Sequence, residues 1–274
     1  MFKILNANLT RLKKNKIYKL PIIFSIIFAL IMIFSQYNEM IKFGKTIEIE
    51  QLMLNYSPII GIIIAIFTSL FLGEEYSEGA IRNKVIIGHK RKNIYLSNLI
   101  IVIITSIFSY IIYLIFIAII GIPLFGTTAI SSSLLLMLLL CILVAIIAYS
   151  SIFTFIAMMI SNKTITAITT ILLTFSMMFY SLKIFDMLSQ PEYIDSMVIK
   201  GDEREIIKTK NNHYLEGQKR KIFKSSIDII PTGQMFQIVG KTSTNLEILP
   251  LYSIGITILF TTAGLILFKN KELK

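Results

Sequence analysis

Six runs of apolar residues, each near the length that crosses a bilayer, constrain this chain more than any other feature. A hydrocarbon core about 30 Å thick takes ~20 residues of helix. The runs fall at about Leu20–Ser35 (extendable to Tyr37), Tyr56–Leu72, Asn98–Ile120, Ser131–Ile160, Thr164–Phe185 and Ile248–Phe268. Apolar residues make up 55% of the 274, with a mean hydropathy of +0.74, against roughly 45–50% in soluble domains. The excess sits in these blocks, so the reading is an all-α membrane protein of six transmembrane helices with no soluble domain of typical size. The start imitates a signal peptide, but no small-residue cleavage site follows Ile33-Phe34-Ser35, and the run is expected to stay as the first span.

Charge orients the spans. The N-terminal tail carries Lys3, Arg11, Lys13, Lys14, Lys16 and Lys19 without an acid, and the second loop carries Arg82, Lys84, Lys90, Arg91 and Lys92. The first loop sets Lys42 and Lys45 against three glutamates, and the third, 122–130, has no charge. The positive-inside bias therefore predicts cytoplasmic termini (1–19 and 269–274), a cytoplasmic loop at 73–97, and a large extracellular segment, 186–247, between spans five and six. Phe2, Leu5, Leu9 and Leu12 recur at helical spacing beside lysines. This predicts an interfacial amphipathic helix over 1–19, the alternative being a basic tail without fixed structure.

The same counts exclude other classes. The net charge of +11 comes from basic residues flanking apolar runs, so no nucleic-acid partner is expected. Cys141 is the single cysteine and His89 and His213 lie far apart, so neither a disulfide nor a metal site is expected. Gly240-Lys241-Thr242 resembles the end of a phosphate-binding loop, but Met235 stands where its first glycine belongs. Glu74-Glu75 resembles the paired glutamates of intramembrane metalloproteases only as far as Gly79, where an arginine belongs, and no span holds a histidine. No cofactor is expected in this chain. Ionisable residues are nearly absent from span interiors, which argues against an ion-coupled carrier.

The loop at 73–97 is the segment that could carry chemistry. Glu74 and Glu75 are placed at the positive N-terminal end of a short helix spanning about 74–92. Glu78 and Arg82 stand in the favourable order for an ion pair. Ala80, Ile81, Val85 and Ile86 supply an apolar surface, Gly88 a C-terminal stop, and Asn93 a cap for the third span. The result is a charged knuckle between two spans, suited to docking a soluble partner; the alternative is a solvated cytoplasmic turn.

Gly73-Glu74, Glu78-Gly79-Ala80-Ile81-Arg82 and Gly88-His89-Lys90-Arg91, followed by an apolar span, resemble ABC-2 type permeases, the membrane subunits of ATP-binding cassette transporters. The look is closest to bacterial permeases exporting bacitracin- or lantibiotic-like peptides. The resemblance implies a coupling helix between spans two and three that docks an ATP-binding subunit through Glu74, Glu75, Glu78, Gly79, Ile81, Arg82, Lys84 and Arg91. It implies two such subunits, which would bind ATP and Mg, and a second permease copy or a related permease, in a bacterial plasma membrane. By the same resemblance spans two and five face the dimer axis, making Phe67, Thr174 and Met178 candidate lining residues, and a short helix near 231–240 re-enters the outer leaflet. From the residues alone, Pro231 and Gly233 suit a bend and equally an ordinary loop, and the Thr166, Thr170, Thr174 stripe suits a polar path or, more simply, bonding within the helix. The expected function is an ATP-driven exporter of a hydrophobic or amphiphilic substrate; a membrane scaffold or sensor subunit and an ion channel are the alternatives.

Overall fold

The computed structural model describes residues 1–200, 203–243 and 245–272. Among the described residues six helices are long and apolar enough to cross a membrane, within Lys16–Phe43, Ile49–Ser77, Arg91–Phe125, Ser132–Met159, Lys163–Ser189 and Leu249–Asn270. Most run past the apolar stretch that announces them, because hydrogen bonding continues through polar residues until a breaker intervenes. The first span shows this: α2 (Lys19–Phe43) follows α1 (Phe2–Lys14) and stops at Gly44, not at Ser35.

The second span is broken near its start into α3 (Ile49–Leu54) and α4 (Ser57–Ser77), with Pro58 in the first turn of α4. A break inside an apolar bundle strands carbonyls, each costing several kcal/mol if unpaired. Here the neighbours supply the donors. The Tyr113 hydroxyl donates to the Leu52 carbonyl at 2.5 Å and the Tyr110 hydroxyl to the Met53 carbonyl at 3.2 Å. The Tyr56 hydroxyl meets Ser25 Oγ at 2.9 Å and Ser109 Oγ at 3.2 Å. The Tyr56 and Tyr113 rings stack with centroids 4.7 Å apart, so one aromatic cluster joins spans one, two and three.

The third span, α6 (Arg91–Phe116), widens into a π turn at Ile117–Gly121 before the short α7 (Ile122–Phe125). Pro123 lacks an amide hydrogen and crowds the carbonyl four residues back, and the wider turn accommodates both. The fourth span is α8 (Ser132–Met159), started by Ser131, whose Oγ accepts from the Leu134 amide. The fifth is α9 (Lys163–Ser189), started by Asn162, whose side chain accepts from the Thr164 and Ile165 amides.

The segment between spans five and six holds an antiparallel hairpin, β1 (Tyr193–Lys200) and β2 (Glu203–Lys210), with Tyr193 opposite Lys210. Two helices follow, α10 (Gly217–Ile229) and α11 (Pro231–Val239), and then the sixth span, α12 (Leu249–Asn270). Nearly all of α11 is buried. It packs against α8, α9, α4 and α10, held by Ser253 Oγ donating to Gln234 Oε1 at 2.7 Å and by a hydroxyl pair between Tyr149 and Thr232.

Spans two and four form the core. Their apolar windows are 72% and 56% buried, against 17–22% for spans one, five and six. The outward faces of α2, α9 and α12 carry exposed Ile, Leu and Phe, such as Ile31, Leu172 and Ile258. Such faces suit lipid or another apolar surface, not water.

Candidate functional site

Residues 73–97 separate into an inward clamp and an outward knuckle. Glu74 and Glu75 lie in the last turns of α4, not at the head of a new helix. The expected 74–92 helix is short, α5 (Ala80–Ile86), bounded by two glycines. Gly79 sits at φ 68° and Gly88 at φ 94°, left-handed conformations that cost other residues ~1–2 kcal/mol. At Gly88 the end is a double hydrogen-bonded turn: its amide reaches the Val85 carbonyl and the His89 amide the Lys84 carbonyl. The third span is capped at Lys90 rather than at Asn93, and α6 begins at Arg91.

Two carboxylates at the C-terminal end of a helix face the negative end of its dipole, so they need cations. Glu75 is fully buried and obtains two cations and one amide donor from three helices. Its Oε1 lies 2.5 Å from Arg11 Nη1, on α1, and 2.5 Å from Lys84 Nζ, on α5. Its Oε2 accepts from Asn98 Nδ2, on α6, at 2.8 Å. Asn8 completes the ring, donating to Asn98 Oδ1 at 2.7 Å and to Ser97 Oγ at 3.1 Å, and accepting from Lys84 Nζ at 2.7 Å. Arg11 also donates to the Phe71 carbonyl at 3.1 Å, with its guanidinium carbon 4.7 Å from the Phe71 ring centroid. Glu74 is paired with Arg11 at 3.5 Å and receives the Asn15 side-chain amide.

These bonds define the inward face of α1. Ile4 and Asn8 are buried on it, with Arg11 one turn on, whereas Phe2 is 79% exposed. Of the expected stripe, Leu5, Leu9 and Leu12 are half-buried against the core, and Phe2 alone points outward.

The sixth span closes the same end. Arg91 Nη1 donates to the Phe268 carbonyl at 3.1 Å and to the Lys271 carbonyl. Lys271 Nζ lies 2.9 Å from both the Tyr76 hydroxyl and the Met158 carbonyl. Burial among these groups pushes the Lys271 amine down to about 8.

What remains outward is small. Glu78, Arg82, Asn83, Ile86 and Ile87 are exposed, the two isoleucines by 70% and 75%. Among the described residues Glu78 and Arg82 form no ion pair with each other, since Gly79 turns the chain between them. Ile81, expected on the contact surface, is 1% exposed and packs inward. Of the eight candidate docking residues, Glu74, Glu75, Ile81, Lys84 and Arg91 therefore hold the knuckle, Gly79 bends it, and Glu78 and Arg82 face out. Sequence reasoning missed Ile87 on the outer surface and Asn8, Asn98, Tyr76 and Lys271 in the clamp. The adjacent Ile86-Ile87 in a charged loop was the available signal for the first.

A family model described as ABC-2 family transporter protein matches residues 4–181. The chain belongs to the ABC-2 family of transporter proteins. It is thus a multi-pass membrane component of a transporter, of a family that works with an ABC ATPase and is not itself the ATPase. The match takes in most of α1, the partners of Glu75, the knuckle and most of span five. No curated protein matches the chain. In this ABC-2 protein Phe67 is buried, its ring 5.4 Å from that of Phe71. It borders a closed seam with Pro21, Ser106 and Ser109. Thr174 is buried and donates to the Thr170 carbonyl of its own helix at 2.7 Å, while Met178 is half-buried beside exposed Phe175 and Phe179.

Proposed function

We propose that the chain is the permease subunit of an ATP-driven exporter and that its knuckle docks the ATP-binding subunit. One observation carries this reading: an exposed pair, Ile86 and Ile87, flanked by Glu78 and Arg82, stands on a helix otherwise clamped to spans two and three. Apolar anchors rimmed by charge are the surface a protein partner buries. The ion pairs of Glu75 and Lys84 make that surface continuous with the bundle, so a push on α5 reaches two spans at once. The knuckle and both termini then face the cytoplasm of a bacterial cell.

Two ATP-binding subunits, which hold ATP and Mg, would dock beneath two permeases, identical or related. The bare apolar faces of spans one and five supply the surface for the second permease, with Met178 near it. The scarcity of charge inside the spans favours a hydrophobic or amphiphilic substrate, including an antimicrobial peptide, as exported by the bacitracin- and lantibiotic-type permeases that the sequence resembles.

The test uses the chain purified with its ATPase in nanodiscs. Ile87→Asp and Glu78→Lys should leave insertion and melting unchanged while cutting permease-stimulated ATP hydrolysis at least tenfold. Stimulation undiminished in both variants refutes the docking role.

A further inference from the structure

The bundle takes up only one side of α1. Ile4 and Asn8 are buried, and Arg11 turns inward with them. Leu5, Leu9 and Leu12 come next round the helix and are half-buried. The remaining arc carries Phe2, Lys3, Lys13 and Lys14, all exposed, and Lys16 and Lys19 continue the exposed charge into α2.

The bonds of the inward side fix the depth of this helix. Asn8 donates to Asn98 at 2.7 Å, where the apolar run of span three begins. One turn on, Arg11 donates to the Phe71 carbonyl at 3.1 Å, beside Leu72, where the run of span two ends. A further turn on, Asn15 donates to Glu74. Successive turns of α1 therefore meet the ends of two apolar runs, which lays the helix along the edge of the hydrocarbon. Its half-buried leucines then border acyl chains and its lysines reach headgroups, the arrangement of a helix that lies in an interface.

No carboxylate answers these lysines. Residues 1–19 contain none, and Glu74 and Glu75 are held by Arg11, Asn15 and Lys84. Among the described residues none of the five ammonium groups enters an ion pair or a side-chain hydrogen bond. Five like charges in so short a stretch repel one another until an anion comes between them. A net-negative headgroup layer favours each nearby lysine by about fivefold, and a zwitterionic layer offers no such net attraction.

We infer that the exposed edge of α1 is a docking surface for anionic phospholipid, with Lys3, Lys13, Lys14, Lys16 and Lys19 on the headgroups and Phe2 among the first acyl carbons. The other candidate occupant is a protein, and the depth set by Asn8 and Arg11 favours lipid. The inference is measured without an ATPase, so it stands or falls apart from the exporter reading.

The experiment uses the full chain in phosphatidylcholine nanodiscs that hold a small, fixed fraction of brominated lipid. The chain has no tryptophan, so Phe2→Trp places a single reporter on the edge of α1. In a second sample Phe34→Trp, at a 67% exposed position about four turns along α2 from Lys19, reports on bulk lipid. Brominated phosphatidylglycerol should quench the Phe2→Trp reporter roughly threefold more than brominated phosphatidylcholine with the same chains. The two lipids should quench the Phe34→Trp reporter equally. Changing Lys13, Lys14 and Lys16 together to Gln should remove the excess and leave melting in phosphatidylcholine unchanged; about 0.5 M salt should remove it as well. Equal quenching of the Phe2→Trp reporter by both lipids overturns the anionic preference. Quenching by neither overturns lipid as the occupant and assigns the edge to a protein. An excess that survives the triple substitution, or one as large at Phe34→Trp, overturns the assignment to these lysines.

Discussion

The second span is interrupted near both of its ends, and the two interruptions are repaired by different chemistry. Between α3 and α4, deep among aromatic rings, neutral hydroxyls of Tyr110 and Tyr113 take the stranded carbonyls. Between α4 and α5, a buried carboxylate draws cations from two other helices. Arg11 and Lys84 keep 21% and 17% of their side-chain surface exposed, so this second repair has access to water at its rim, which the first lacks. A charge as buried as Glu75 is tolerated only where its partners and remaining hydrogen bonds are in place. The neutral repair fixes a shape; the ionic one also ties α1, the knuckle and span three to the end of span two.

The comparison breaks most visibly at Glu75. Glu75→Ala leaves Arg11 and Lys84 facing an empty, half-dry site, and a loss of about 3–5 kcal/mol is expected on removing one partner of a buried pair. Chemical unfolding of the purified chain measures it, and a loss below ~1 kcal/mol would show the cluster to be decoration. Tyr113→Phe removes one donor and orphans the Leu52 carbonyl, for about 1–3 kcal/mol. A smaller deficit than for Glu75→Ala sharpens the distinction, and a larger one reverses it. The gentlest probe is pH at Lys271. Its folded value, about 8, lies below the ordinary 10.5. Between these values the unfolded chain holds more protons, so raising the pH through that window stabilises the fold, and below about 8 the contribution is flat. Site-resolved acylation of Lys271 should show its half-maximum near 8; one near 10.5 would place the amine in water.

Much of this was legible in the residues. Run length located six spans, because the bilayer imposes one length on every helix that crosses it. Gly88 marked the end of the knuckle, because few other residues reach its backbone angle, whereas Gly79 was read inside the helix that it precedes. The partners of Glu75 were not legible, since Asn8, Arg11 and Asn98 reach it through packing and no local spacing relates them. Local rules even misled: two glutamates followed by a helix read as an N-terminal cap, whereas α4 had not yet ended. The hairpin at 193–210 escaped because mixed charge in a long segment mimics an open loop, and the tyrosine cluster because its hydroxyls answer to a helix break seen only in three dimensions.

Synthesis order gives the clamp a temporal side. α1 leaves the ribosome before the third span, yet its seat is built from Asn98, 90 positions downstream of Asn8. Until the third span has been made, that helix lacks the Ser97 and Asn98 side of its seat, and it locks only after residues synthesised long after it.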